Sequence, residues 1–333
     1  MTRTALVTGA AGQDGVLLAR HLIAAGYRVV GTVLPGSESP LQPYLDGVEI
    51  ESHDLRDAEG FERLLDAHEP DEVYNLAGFT SVGASWDAVD LVHEVNTAAV
   101  EAMLAALVAR RGRTGTAPRF FQASSSEVFG PQAPNPQDES TPHDPQNPYA
   151  ASKSRAQQAT VRARTDDGLF ACVGILYNHE SPLRGVQFVT RKIIRAAVEI
   201  SEGRQESVSL GNLDVSRDWG AAADYVVGMH LALTHEEPGD YVLATGVLHS
   251  LQDLLELAFG AVGIDDPWPY VRQDPALMRK ADAPGLSGDA TRARERLGWT
   301  PSTSFEQLVA EMVDVELRRV RTGVEESPEY LRG

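Results

Sequence analysis

Tyr149 and Lys153 stand four residues apart in the run Tyr149-Ala-Ala-Ser-Lys153, and Ser125-Ser126-Glu127 lies a short way upstream. On a helix this spacing stacks a phenol and an ammonium on one face, one turn apart. The positive charge is then expected to stabilise a phenolate and lower the tyrosine pKa towards the working pH. A hydroxyl from Ser125 and a carboxylate from Glu127 would complete a set able to oxidise a sugar alcohol. The same set could remove a proton beside the ketone so formed. Tyr-x-x-x-Lys alone arises in helices by chance, and it gains weight here from the start of the chain.

Residues 4–7 read as a short buried strand, followed at once by Thr8-Gly9-Ala10-Ala11-Gly12-Gln13-Asp14-Gly15. Leu17, Leu18, Leu22 and Ile23 recur at helical spacing, and 27–33 reads as a second strand. The result is a βαβ unit with Gly9, Gly12 and Gly15 in its first turn. Glycine suits that turn because a side chain would hold a pyrophosphate away from the amides of the helix N-terminus. The spacing is Gly-x-x-Gly-x-x-Gly, not the Gly-x-Gly-x-x-Gly of ordinary dinucleotide-binding domains.

Strand and helix signals go on alternating. Strands are expected at 47–50, 72–77, 119–123 and 169–176, and helices at 58–67, 91–108 and from Tyr149 to about 165. A proline-rich surface loop is expected at 131–148. Such alternation implies an α/β fold, a Rossmann-type doubly wound parallel sheet with helices on both faces. Ligands then gather beyond the strand carboxyl ends. After Asn178 the pattern loosens. An amphipathic helix is expected at 188–201, with Val189, Ile193, Ala197 and Ile200 on its apolar stripe and Arg191, Lys192 and Arg195 largely off it. Ser250-x-x-Asp253 and Ser304-x-x-Gln307 look like helix starts, the second a capping box. The expected partition is a dinucleotide-binding domain over 1–177, with 213–246 returning to its sheet. A smaller, mainly helical nucleotide-sugar lobe is expected over 178–212 and 247–333.

The 333 residues suffice for such a pair of units. A formal charge of -19 argues against partners with an anionic surface, whether a nucleic-acid backbone or a membrane. An anionic ligand would need its own local arginines and lysines. The lone cysteine, Cys172, falls in an apolar strand-like run and fits a small core residue in a reducing cytoplasm. Met1-Thr2-Arg3 leads straight into the first strand, so no signal peptide is expected, and no apolar run is read as membrane-spanning. Nine histidines show no metal-ligand spacing, so no metal site is expected. Trp86, Trp219, Trp268 and Trp299 are read as packing residues.

The chain resembles the extended short-chain dehydrogenase/reductase superfamily and, within it, the GDP-mannose 4,6-dehydratase family. The matching stretches are Thr8-Gly9 through Gly15, Asp71-Glu72-Val73-Tyr74-Asn75-Leu76-Ala77, Phe121 through Glu127, and Pro148-Tyr149 through Lys153. Gly174 through Pro182 with its Asn178-His179-Glu180-Ser181, Phe188 through Ile193, and Leu210-Gly211-Asn212-Leu213-Asp214 continue the series. Arg217-Asp218-Trp219-Gly220, Asp224-Tyr225-Val226, Ala244 through Val247 and Leu297-Gly298-Trp299 complete it.

By that resemblance Ser125 stands at a catalytic threonine, Glu127 at the catalytic base, and Tyr149 and Lys153 at the redox pair. The implied reaction is an internal redox cycle: hydride leaves C4, the 4-keto group acidifies C5–H, Glu127 removes that proton, water leaves from C6, and the hydride returns there. Cofactor contacts are implied at Gly9, Gly12, Gln13, Asp14, Gly15, Asp54, Leu55, Leu76, Ala77, Tyr149, Lys153, His179 and Arg184. A GDP-sugar substrate is implied at Ser125, Ser126, Asn178, Lys192, Leu210, Asn212, Arg217, Arg279 and Asp282, the last standing where the family has glutamate.

Leu34-Pro35 replaces the adjacent arginines that the family places after its second strand for the 2′-phosphate of NADP, and the strand does not end in the acidic residue that would hold an NAD ribose either. The implied cofactor is therefore NADP, the family default, or NAD, and the implied assembly a homodimer or homotetramer. Gly78-Phe79-Thr80-Ser81 replaces a more polar segment at the expected sugar site, which admits another nucleotide hexose. A 4-keto-sugar reductase or epimerase on the same scaffold would not need Glu127. A non-catalytic dinucleotide-binding protein would need neither Tyr149 nor Lys153.

Overall fold

The computed structural model describes residues 2–277 and 285–331. The first half alternates as expected: β1 (Thr4–Thr8), α1 (Gln13–Ala24), β2 (Arg28–Val33), β3 (Glu49–Ser52), α2 (Ala58–His68) and β4 (Glu72–Asn75). Then come α3 (Val89–His93), α4 (Ala99–Thr114), β5 (Arg119–Ala123), α5 (Pro148–Thr165), β6 (Ala171–Leu176) and β7 (Asn178–Glu180). The remainder comprises α6 (Val189–Ser201), β8 (Val208–Leu210), β9 (Ser216–Ala221), α7 (Ala222–Thr234) and β10 (Asp240–Leu243). β11 (Leu248–Ser250), α8 (Leu251–Gly260), β12 (Val271–Gln273) and α9 (Phe305–Thr322) follow.

Seven parallel strands form one sheet in the order β10-β6-β5-β4-β1-β2-β3. β1 and β6 are buried along their whole length, as strands covered on both faces must be. The order reverses at β1, which pairs with β2 on one side and β4 on the other, so the crevice beyond its carboxyl end is the natural ligand site. One face carries Leu18 and Leu22 of α1 with Val226 and Met229 of α7, and the other Phe61 of α2, Leu107 of α4 and Ala156 of α5. Of the stretch 213–246 expected to return, β10 pairs with β6, Val242 opposite Ile175, whereas β9 lies outside this sheet, between β7 and β11.

A further apolar cluster joins Ile193 and Ile194 of α6, Leu210 of β8, Trp219 of β9, Leu254 and Phe259 of α8, and Phe305 and Met312 of α9. Both α8 and α9 start with capping boxes, Ser250 with Asp253 and Ser304 with Gln307, one more than expected.

Four expectations need correction. The long helix read at 91–108 begins at Val89, passes through a π-helical turn at Glu94–Ala98 and runs on to Thr114. Among the described residues this stretch does reach membrane-spanning length and apolarity, and half of its apolar window is buried inside the molecule. Arg191 does not lie off the buried side of α6; it is itself buried, where carboxylates from the distant C-terminal segment meet it. Trp219 and Trp299 are core residues, whereas Trp86 and Trp268 are exposed.

Candidate active site

The turn between β1 and α1 is built for close approach. Gly9 has φ +69°, and a Cβ there would lie 2.8 Å from Ala77 Cα, inside van der Waals contact with the backbone beyond β4. A side chain at Gly15 would run into the Gly9 carbonyl. No side chain caps α1, whose N-cap is Gly12, so its first-turn amides are left for an anion. This bare cradle at the switch point fits a dinucleotide pyrophosphate.

Gln13 and Asp14 tie the turn to β7. Gln13 Nε2 donates to the His179 carbonyl (3.1 Å) and to Asp14 Oδ1 (3.1 Å), and Ser181 Oγ donates to Gln13 Oε1 (2.9 Å). His179 Nε2 lies 2.9 Å from Asp14 Oδ2 and Nδ1 lies 2.7 Å from the Tyr177 carbonyl. Both ring nitrogens face acceptors, which favours the imidazolium. Burial opposes that charge, yet Asp14 outweighs it and the His179 pKa rises; the same pairing lowers that of Asp14 against its own burial. Arg184 pairs with Glu180 (3.0 Å), lies 3.6 Å over the Phe188 ring, and adds positive potential at Asp14 and Tyr149.

The catalytic candidates meet at the carboxyl end of β5. Ser125 is the N-cap of a short 3-10 turn at Ser126–Phe129, its Oγ accepting from the Glu127 amide at 3.3 Å. α5 starts on Asn147, whose Oδ1 accepts from the Ala150 amide (2.8 Å), with Pro148 at the first helical position. The other end of that amide, Nδ2, donates to Glu127 Oε2 at 3.4 Å. One side chain therefore starts the helix that carries Tyr149 and Lys153 and touches the candidate base. Glu127 is half-buried and its charge is felt at the Tyr149 phenol, so the carboxylate faces the tyrosine's surroundings.

Lys153 is buried, its Nζ donating to the Ala123 carbonyl (3.0 Å) and lying 5.8 Å from the Tyr149 ring centroid. Burial pushes its pKa down to about 8, against the pull of Asp14. Burial also pushes the Tyr149 phenol up to about 12, the Ser125 hydroxyl pulling it down and Glu127 pushing it further up. The tyrosine pKa lowering expected from the Lys153 charge is overturned in the protein alone: burial drives the phenol up, and the groups that pull it down are Ser125 and Arg184.

A chain of side-chain hydrogen bonds that the sequence did not disclose crosses the sheet to this point. Thr8 Oγ1 donates to Asn75 Oδ1 (2.7 Å), Asn75 Nδ2 to Gln122 Oε1 (2.9 Å), and Gln122 Nε2 to the Ala123 carbonyl (2.9 Å), which Lys153 also meets. Thr8 Oγ1 accepts from the amides of Leu76 and Ala77, fixing the two expected cofactor contacts beyond β4. Asn96, in the π-helical turn, holds both the amide and the carbonyl of Phe79 and donates to Ser152 Oγ. A Cβ on the adjacent Gly78 would come 2.8 Å from Asn96 Oδ1 and 3.7 Å from Lys153 Nζ, so this loop borders the lysine.

The expected substrate residues fall into two groups. Lys192 Nζ donates to the Ser209 carbonyl (2.6 Å) next to buried Leu210, while Asn178 pairs with Trp219 of β9, the strand of Arg217. Asn212 is spent locally, its Oδ1 accepting from the Asp214 amide. Ser126 is buried beside Ser125. Asp54 is engaged by Arg56, and Leu55 is buried. Arg279 and Asp282 lie outside the described residues. A concavity of about 460 Å³ bounded by Arg3, Asp71, Glu72 and Arg119 sits at the opposite, amino-terminal ends of the strands, away from this chemistry.

Comparison with known proteins points to one family and one fold. The family model for GDP-mannose 4,6 dehydratase matches residues 6–312. GDP-mannose 4,6 dehydratase 2 of Arabidopsis thaliana is 43% identical over 328 residues, covering 95% of this chain and 87% of that protein. Among solved structures, RMD from Pseudomonas aeruginosa complexed with NADPH aligns with a TM-score of 0.81 at 25% identity, covering 96% of this chain and all of the other. UDP-glucose 4-epimerase of Thermus thermophilus in complex with NAD has the same TM-score at 26% identity, covering 94% and 98%.

Proposed function

We propose that this chain, which belongs to the GDP-mannose 4,6-dehydratase family, converts GDP-mannose to GDP-4-keto-6-deoxymannose and water. The observation that carries the reading is the contact of Glu127 with Asn147, the residue that starts the Tyr149–Lys153 helix. A C4 redox site needs the tyrosine and lysine; only a reaction that also breaks C5–H needs a carboxylate held beside them.

The bare turn at Gly9–Gly15 and the charged groups around it fit a nicotinamide dinucleotide. When bound in its oxidised form, that cofactor supplies a positive charge beside the phenol and a store for one hydride, taken from C4 and given back at C6. Ser125 would orient the C4 hydroxyl, and Tyr149, as the phenolate that this added positive charge would stabilise, would take its proton as hydride leaves C4, giving a C4 ketone. Lys153, fixed by the Ala123 carbonyl, keeps an ammonium beneath the tyrosine. The ketone acidifies C5–H, and Glu127 removes that proton. Glu127 then protonates the departing C6 hydroxyl, which leaves as water. As the hydride returns to C6, C5 takes a proton from solvent and Tyr149 releases to solvent the one it took from O4, so oxidation at C4 balances reduction at C6 and the phenolate is restored. Holding all the partners in one site through these steps is mainly a positioning effect.

Asn178, Lys192, Leu210 and Arg217 are proposed to receive the nucleotide half of the substrate. The partition into a dinucleotide domain and a sugar lobe, and assembly as a homodimer or homotetramer, belong to the same proposal. Incubation with GDP-mannose in deuterated water tests the reaction. A 4-keto-6-deoxy product carrying deuterium at C5, with no net change in cofactor, supports it. Consumption of reduced cofactor in step with product would instead identify a reductase.

A further inference from the structure

The segment after β2 carries information about the cofactor that the site chemistry does not use. In dinucleotide folds the adenosine ribose lies at the carboxyl end of the second strand. There an acidic side chain meets the 2′-hydroxyl of NAD, or an arginine the 2′-phosphate of NADP. That phosphate brings roughly -1.5 to -2 charges at neutral pH and needs a guanidinium or ammonium. Between Leu34 and Leu55 this chain has no lysine or arginine, while Glu38, Asp46, Glu49, Glu51 and Asp54 are acidic.

The loop is not loosely placed. Ser39 Oγ donates to the Ala11 carbonyl of the glycine turn (2.8 Å), and the Ala10 amide donates to the Thr32 carbonyl (3.1 Å). Leu41, Tyr44 and Leu45 then pack with Ala10, Val16 and Leu183, so the segment is anchored on both sides of the turn. Its charged side chain between Leu34 and Leu41 is Glu38, exposed beside exposed Leu34 and Pro35. The next cation along the chain is Arg56, just beyond β3, and it is already committed. Its Nε and a terminal nitrogen fork onto Asp54 at 3.0 and 2.7 Å, and it faces Glu94 at 3.6 Å.

We infer that this chain takes NAD in preference to NADP, because Leu34, Pro35 and Glu38 stand where a 2′-phosphate would need a cation and Arg56 is held by Asp54. The inference rests on the dinucleotide-dependent reading above and narrows it. Discrimination of this kind comes from leaving the wrong ligand's charge unpaired as much as from contacts to the right one.

Isothermal titration of the purified chain with NAD⁺ and with NADP⁺ tests it directly. NAD⁺ is expected to bind at least about tenfold more tightly, the equivalent of about 1.4 kcal/mol. Leu34→Arg is expected to tighten NADP⁺ by about tenfold while leaving NAD⁺ unchanged, since a guanidinium then faces the phosphate. Arg56→Ala is expected to leave the ratio of the two affinities unaltered. Equal or tighter binding of NADP⁺, or a loss on Arg56→Ala confined to NADP⁺, would overturn the preference and leave the dehydratase reading standing. Failure of both dinucleotides to bind would overturn the two together.

Discussion

Tyr149 and Lys153 are the groups expected to set the pH behaviour of the proposed reaction. In the free protein the phenol sits at about 12 and the ammonium at about 8, both displaced by burial before any other cause. The useful form of Lys153 is the cation, so function that depends on it is present below that value and lost as pH rises through it. Because kcat/KM reports groups of the free enzyme, its alkaline limb is expected near pH 8. A profile still flat at about pH 10 would contradict that assignment. At this scale type and spacing pointed to Tyr149, Lys153, Ser125 and Glu127 as candidates, and the fold brings the four together beyond the end of β5. The sequence misdirected the reading of Tyr149 because a dehydration cost depends on what surrounds the ring, which neighbours in sequence do not reveal. Asn75 and Gln122 escaped notice for a similar reason: each amide is satisfied by a partner on another strand.

Among elements, α5 has the most exact task, and Asn147 is where its start and the candidate base meet. Asn147→Ala removes the cap and the Glu127 contact together. Loss of the cap is expected to cost about 1 kcal/mol of stability, read from thermal or urea unfolding. Turnover should fall by more than that loss explains, and substitution by aspartate, which caps equally well but repels Glu127, should restore stability without restoring turnover. Recovery of full activity in Asn147→Asp would show that the Glu127 contact has no role. The Asn-Pro-Tyr run does carry a sequence signal, a cap followed by proline at the first helical position, although nothing in it reveals the second bond to Glu127. Parallel strands such as β1 and β6 were legible because burial on both faces leaves continuous apolar runs. The π-helical turn at Glu94–Ala98 was not, since the 3.6-residue period passes through it almost undisturbed.

On the scale of the whole molecule, the C-terminal segment acts as a strap over the cofactor side. Arg319, almost fully buried, meets Glu316 (3.1 Å) and Glu326 (2.8 Å) and donates to the Pro182 carbonyl (2.8 Å). Glu326 in turn accepts from Tyr44, and Arg191 joins Glu316 and Glu325 while donating to the Arg184 carbonyl. Segments near residues 44, 184, 191, 319 and 326 are thereby fixed to one another, and the Arg184 loop with them. Removing one partner leaves buried carboxylates uncompensated, so Arg319→Met is expected to cost about 3–5 kcal/mol in urea unfolding. A loss below about 1 kcal/mol would mean that the cluster is solvated. The Arg319–Glu316 pair is local, at i,i+3, but no periodicity could have announced Arg191, whose partners Glu316 and Glu325 lie more than a hundred residues away. The acidic balance of the chain had suggested only that anionic ligands would need local cations.

If Glu127 breaks C5–H after Tyr149 has allowed oxidation at C4, Glu127→Gln separates the two events. Mixed with GDP-mannose and oxidised cofactor in a single turnover, this variant is expected to show reduced-nicotinamide absorbance that rises and persists, with no 4-keto-6-deoxy product. Dehydration at the rate of the unaltered protein would show that Glu127 is not the base.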